Sequence, residues 1–123
     1  KFSIALKGRF TTALTPQALA QRLQDVLGKV PLLEQVQKPL IATVAWCTGG
    51  GQKYIDLAAS QGIDAFITGE VSEQTIHSAR EMNIHFYAAG HHATECYGAK
   101  AVGEYLAENY GVDVEFVDIA NPA

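Results

Sequence analysis

Two periods of apolar spacing alternate along this chain. Lys1-Phe-Ser-Ile-Ala-Leu6 alternates residue by residue, and residues 9–13 do so again, which predicts two short strands punctuated by Gly8. Thr15-Pro16 opens a helix, because threonine caps and proline suits the first turn. Leu19, Leu23, Val26 and Leu27 then recur at helical spacing, and Gly28 ends the helix. Residues 29–39, with Pro31 and Pro39, predict a connection or an edge.

From residue 41 the apolar stretches become continuous. Ile41–Cys47, Ile63–Thr68 and Ile84–Ala88 are short β-branched and aromatic runs, the pattern of buried strands. Between them lie helical stretches over 52–61, with Ile55 and Ala59 inward, and from a cap at Ser72 to about Met82. A longer helix is predicted from about Ala93 to Tyr110, its buried stripe Ala99, Val102, Leu106 and Tyr110, closed by Gly111. Val112 to Ile119 alternates and predicts a last strand. Strands alternating with helices predict an α/β fold, a mostly parallel sheet flanked by helices, in a single domain over 1–123.

Composition narrows the function classes. The 123 residues are 48% hydrophobic and 18% charged, enough for a core and unlike a disordered chain. The net charge is −4 with no Lys/Arg block, which argues against a nucleic-acid footprint. No apolar run approaches the roughly 18 residues of a membrane span. Two cysteines, Cys47 and Cys96, make no disulfide framework, so reduced thiols in a cytoplasmic protein are expected. The chain opens on Lys1 within a strand-like run, which predicts a piece of a longer protein, whereas Asp118–Ala123 reads as a natural end.

In open α/β sheets ligands gather beyond the carboxyl ends of the strands. Three such ends carry glycine here: Cys47-Thr-Gly-Gly-Gly51, Thr68-Gly-Glu70 and Gly90-His-His-Ala-Thr-Glu95. His91 and Glu95, four apart at a helix start, can share one face and offer an imidazole nitrogen and a carboxylate to zinc, manganese or iron. Spacing alone is weak evidence, since such pairs are common as solvated neighbours. His92 would point elsewhere and support the site from behind or serve structure. Glu70 could orient a ligand or act as a base, or equally cap backbone amides. Thr48, Gly49 and Gly50 would shape the pocket. The glycine loop fits neither common phosphate-loop pattern, so a tight turn is the simpler reading. His77 and His85 read as structural, and nothing in the spacing supports a Cys47–His91 nucleophilic pair.

Together, Val44-Ala-Trp-Cys-Thr-Gly-Gly-Gly51, Asp64-Ala-Phe-Ile-Thr-Gly-Glu70, Ala89-Gly-His-His-Ala-Thr-Glu95 and Asp118-Ile-Ala-Asn-Pro122 resemble the Nif-three-like family. Its bacterial members are named GTP cyclohydrolase 1 type 2 homologues. The match is most specific from about 43 to 123. The resemblance implies the carboxyl-terminal half of a two-domain protein with two divalent ions per full-length subunit. It carries the family's late His and bridging Glu onto His91 and Glu95. The family's other ligands, a His-His pair and an Asp, come from its first half, and this chain has no second His-His pair. It further implies a hexameric ring of identical subunits, a small-molecule and possibly nucleotide substrate, and a metal-dependent hydrolase. The alternatives are a non-catalytic metal-binding or regulatory module in such a ring, and a nucleotide-binding domain without metal.

Overall fold

The computed structural model describes residues 4–121. Five strands form one sheet in the order β1-β3-β4-β5-β2, with β1 Leu6–Leu14, β2 Leu32–Glu34, β3 Ile41–Cys47, β4 Ala65–Thr68 and β5 His85–Ala88. Four helices accompany them: α1 Pro16–Leu27, α2 Ile55–Ser60, α3 Glu73–Glu81 and α4 His91–Tyr110. A single 3-10 turn, Gln52–Tyr54, leads into α2.

The α/β class holds, but the sheet is not mostly parallel. β3-β4 and β4-β5 pair in parallel, whereas β1 lies antiparallel on β3 and β2 antiparallel on β5. The hydrophobic pattern explains the division. β4 and β5 are almost wholly buried, as a parallel centre covered on both faces must be. β1 is largely exposed or half-buried, which suits an antiparallel edge.

Successive residues of the central strands feed two cores, because strand side chains alternate faces. Phe66 and Phe86 pack with Ile55, Ala58 and Ala79 from α2 and α3. Ala65 and Tyr87 pack with Leu19 of α1, Ile41 and Val44. The buried Tyr87 hydroxyl donates to the Pro16 carbonyl at 2.9 Å, tying β5 to the start of α1.

Helix limits follow local chemistry. The Thr15 hydroxyl accepts from the Ala18 amide and Pro16 occupies the first position of α1. Gly28 closes α1 in the left-handed conformation at φ 71°. Ser72 and Thr75 exchange capping bonds at the head of α3.

Three expectations need correction. The two short amino-terminal strands are one strand, which runs through Gly8; the part of the expected first strand over residues 1–3 lies outside the described residues. Residues 112–119 form no strand, because alternation makes a strand only where the backbone pairs with an edge, and this segment pairs with neither β1 nor β2. This segment instead follows α4, with Val114 against Gly103 and Phe116 beneath the Lys100 ammonium at 4.5 Å. The expected buried stripe of α4 is exposed: Val102 is 60% and Tyr110 67% accessible, Ala99 and Leu106 are exposed too, and Gly103 is the buried residue. No helix among the described residues is long and apolar enough to cross a membrane.

Candidate metal centre

Parallel pairing of β3, β4 and β5 brings their three carboxyl-terminal loops to one rim. Backbone bonds stitch these loops together. The Gly69 amide donates to the Gly49 carbonyl at 2.9 Å, and the Gly90 amide donates to the Gly69 carbonyl at 3.0 Å. The Gly49 amide donates to the Thr94 hydroxyl at 3.0 Å, joining the first loop to the first turn of α4. The buried Thr68 hydroxyl donates to the Gly49 carbonyl and accepts from the Gly51 amide, each at 3.1 Å.

Glycine is required where these loops cross. A Cβ on Gly69 would lie 2.7 Å from the Gly49 carbonyl oxygen and 2.8 Å from the His91 Cα, so two backbones would have to part. Gly49 has φ 62°, and a Cβ there would strike the Glu95 carboxylate.

His91 stands at the centre of the rim. Its Nδ1 meets Glu70 Oε1 at 2.5 Å and its Nε2 meets Glu95 Oε2 at 3.1 Å. Glu70 also accepts from Gln52 Nε2 at 3.3 Å. The hydrogen bond that the His91 ring donates to Glu70, reinforced by the nearby Glu95 charge, raises the His91 pKa above its ordinary value. The same bond, with that from Gln52, holds the Glu70 carboxyl below its usual range. A carboxylate on Nδ1 keeps the proton there in the neutral ring and leaves the Nε2 lone pair beside Glu95.

This donor set fits a divalent ion. One imidazole nitrogen and one carboxylate oxygen converge, a second carboxylate fixes the ring from behind, and Gly49 leaves space over Glu95. Two ligands do not complete a site, so further donors are needed.

His91, Glu95, Glu70, Gly49 and Gly50 therefore come together. A Cβ on Gly50 would lie 3.4 Å from the Glu70 carboxylate. His92 does not join them. It turns to the other side of α4, where its Nε2 meets Asp118 Oδ1 at 2.9 Å. Adjacent helical residues diverge by about 100° around the axis, which accounts for the separation. Thr48 is exposed, and its carbonyl accepts from the Cys47 thiol.

The remaining candidates resolve as structural groups. Burial pushes the Cys47 thiol up, away from the thiolate that a nucleophile needs. Two amides of the glycine loop, those of Gly49 and Gly51, are engaged by Thr94, Thr68 and Gly49, which disfavours a phosphate cradle. His77 pairs with Glu73 on the exposed side of α3. His85 is buried and lowered in pKa by that burial; its ring accepts from the Val36 amide and meets the Lys38 carbonyl. Gln52 escaped the sequence reading. Its amide nitrogen serves Glu70 while its Oε1 is buried without a partner, and nothing in its sequence context marks it.

Comparison with known proteins places these features in a wider set. The sequence profile of Duf34/NIF3 (NGG1p interacting factor 3) matches residues 1–122. A Pasteurella multocida (strain Pm70) protein named GTP cyclohydrolase 1 type 2 homolog is 62% identical over 122 residues, covering 98% of this chain and 49% of that protein. An Escherichia coli (strain K12) protein of the same name is 56% identical over 117 residues, covering 94% and 47%. Among solved structures, protein ybgI, described as of unknown function, superposes with a TM-score of 0.94 at 54% identity, covering 98% of this chain and 49% of that one. TTHA1606 from Thermus thermophilus gives 0.82 at 30% identity, covering 94% and 47%. The chain spans about half the length of the curated relatives it matches.

Proposed function

The chain belongs to the Duf34/NIF3 family, and from that premise we propose that His91 and Glu95 are two protein ligands of a divalent-metal centre in a metal-dependent hydrolase. The observation that carries this reading is the convergence of His91 Nε2 and Glu95 Oε2 at 3.1 Å, with Glu70 bound to the opposite ring nitrogen. The proposed complement is two ions per full-length subunit, zinc, manganese or iron. The missing donors come from residues beyond these 123, because the chain's one adjacent histidine pair is His91-His92 itself.

When bound, divalent ions supply Lewis-acid polarisation of a substrate oxygen and activation of water near neutral pH. The chain's own residues do the rest. Glu70 holds the His91 ring in one tautomer and orientation. Glu95 offers one oxygen toward His91 and sets the other against Gly49, so this carboxylate would help to hold the ions. Gly49 makes room for the Glu95 carboxylate and Gly50 lies against Glu70, so the glycine loop lets both side chains sit at the rim.

The name shared by the relatives makes GTP the first substrate to test, as a cyclohydrolase-type ring opening in the cytoplasm. Turnover is expected on a nucleotide panel presented to the metal-loaded protein, and His91→Ala is expected to abolish it with the circular-dichroism spectrum retained. Metal occupancy without turnover on any nucleotide would instead support a non-catalytic module in a ring of identical subunits. One observation favours an assembly: Val102, Tyr105 and Tyr110 leave an apolar face of α4 exposed.

A further inference from the structure

The helix that carries His91 and Glu95 repeats their spacing one residue later. His92 and Cys96 are also four apart, so they share a face rotated by about 100° from the first pair. Asp118 reaches the same face from the segment that follows α4. His92 Nε2 lies 2.9 Å from Asp118 Oδ1 and 3.4 Å from Cys96 Sγ, and the three donor atoms all lie within 4.8 Å of one another.

We propose that His92 Nε2, Cys96 Sγ and the Asp118 carboxylate form a second metal site that takes zinc, separate from the centre at His91 and Glu95. Donor chemistry selects the ion. One thiolate, one imidazole and one carboxylate make a mixed sulfur, nitrogen and oxygen set that suits zinc and not magnesium or calcium.

Size agrees as well. With zinc–sulfur bonds near 2.3 Å and zinc–nitrogen and zinc–oxygen bonds near 2.1 Å, tetrahedral geometry separates sulfur from nitrogen by about 3.6 Å and nitrogen from oxygen by about 3.4 Å. The 3.4 Å and 2.9 Å found here are within a side-chain adjustment of those values. Three protein ligands leave a fourth position. His92 and Cys96 line a cleft together with His91, Glu95, Phe116 and Val117, through which a water or a small ligand would reach that position.

Coordination replaces bonds that the side chains now make. The Cys96 thiol donates to the His92 carbonyl at 3.0 Å, one turn back along α4. Zinc binding breaks the S–H bond, forms a Zn–S bond and releases the proton to solvent. His92 binds through a neutral ring, and Asp118 exchanges its contact with His92 for a bond to the ion. No electrons move, since zinc stays divalent throughout.

The consequence is structural. Residues 112–119 have no ladder hydrogen bonds to hold them and rest on α4 through Val114, Phe116 and Asp118. A zinc ion would fasten that segment to the helix carrying His91 and Glu95, and would do so beside the rim.

Cobalt(II) titration of the protein tests this with a signal specific to sulfur ligation. A thiolate-to-cobalt charge-transfer band is expected, displaced by zinc, lost in Cys96→Ser and retained in the His91→Ala/Glu95→Ala double variant. In the unaltered protein, zinc is expected to shield Cys96 from alkylation by iodoacetamide, with the shielding lost on adding a chelator, so the test does not depend on any variant folding. Absence of the band, its survival in Cys96→Ser, its loss in the double variant, or alkylation of Cys96 indifferent to zinc would each overturn the proposal. Failure here leaves the His91–Glu95 reading standing, because that reading is decided by metal that depends on Glu95.

Discussion

Asp64 and Gly69 flank β4 at opposite ends and bear different loads. Asp64 lies away from the rim. Its carboxylate accepts from the Ala42 and Thr43 amides and the Thr43 hydroxyl at 2.9–3.0 Å, with the Lys38 ammonium 3.7 Å away. Burial opposes its charge, but these hydrogen bonds and Lys38 outweigh that and hold its pKa below the usual value. Asp64→Ala strands two amides, and the expected cost is about 1–3 kcal/mol in urea unfolding at pH 7. A carboxyl whose folded pKa is depressed contributes stability above its unfolded value, about pH 4, and loses it as pH falls through the folded value. The gap between the parent protein and Asp64→Ala is therefore expected to be full at pH 6 and to narrow below about pH 4; a gap that widens in acid would refute this assignment.

Gly69 works at the rim itself. Its substitution by alanine forces the Gly49 carbonyl and the His91 backbone apart, and overpacking of this kind costs about 1–3 kcal/mol. Gly69→Ala is expected to lower the melting temperature and to weaken metal retention together, because the same displacement moves His91. An unchanged melting temperature would show that the three loops are looser than their bonds imply.

At the level of elements, α4 separates local propensity from packing. Gly98 lies mid-helix with open space around it, so Gly98→Ala is expected to stabilise the protein by about 0.5–1 kcal/mol in chemical denaturation. The strands of the sheet centre were legible in sequence because continuous apolar runs such as Ile41–Cys47 have few alternatives. The caps at Thr15, Gly28 and Ser72 were legible because their chemistry is local. Strand direction was not, since alternation in β1 reports a half-buried face without naming the partner strand. The tail over 112–119 shows the same limit, its pattern suiting a strand although it pairs with no strand of the sheet. The buried stripe of α4 failed for a related reason: periodicity marks an apolar face but not whether anything covers it. At the site, Glu70 lies beside His91 and Glu95 on the shared rim and His92 points elsewhere, as helical spacing implies, while its partner Asp118, 26 residues distant in sequence, was not legible.

On the scale of the whole molecule, the described residues build two cores and a rim where three loops meet, and the chain spans about half of its curated relatives. Three features meet at α4: His91 and Glu95 at its start, His92 and Cys96 on the next face, and an uncovered apolar surface further along. The central claim is that His91 and Glu95 hold metal. Elemental analysis of the purified protein carrying these residues, beside its Glu95→Ala and His91→Ala variants, tests that claim most directly. The account predicts bound transition metal in the parent and its loss, wholly or by at least one ion per subunit, in each folded variant. Metal absent from the parent, or a content unchanged by Glu95→Ala, would contradict it.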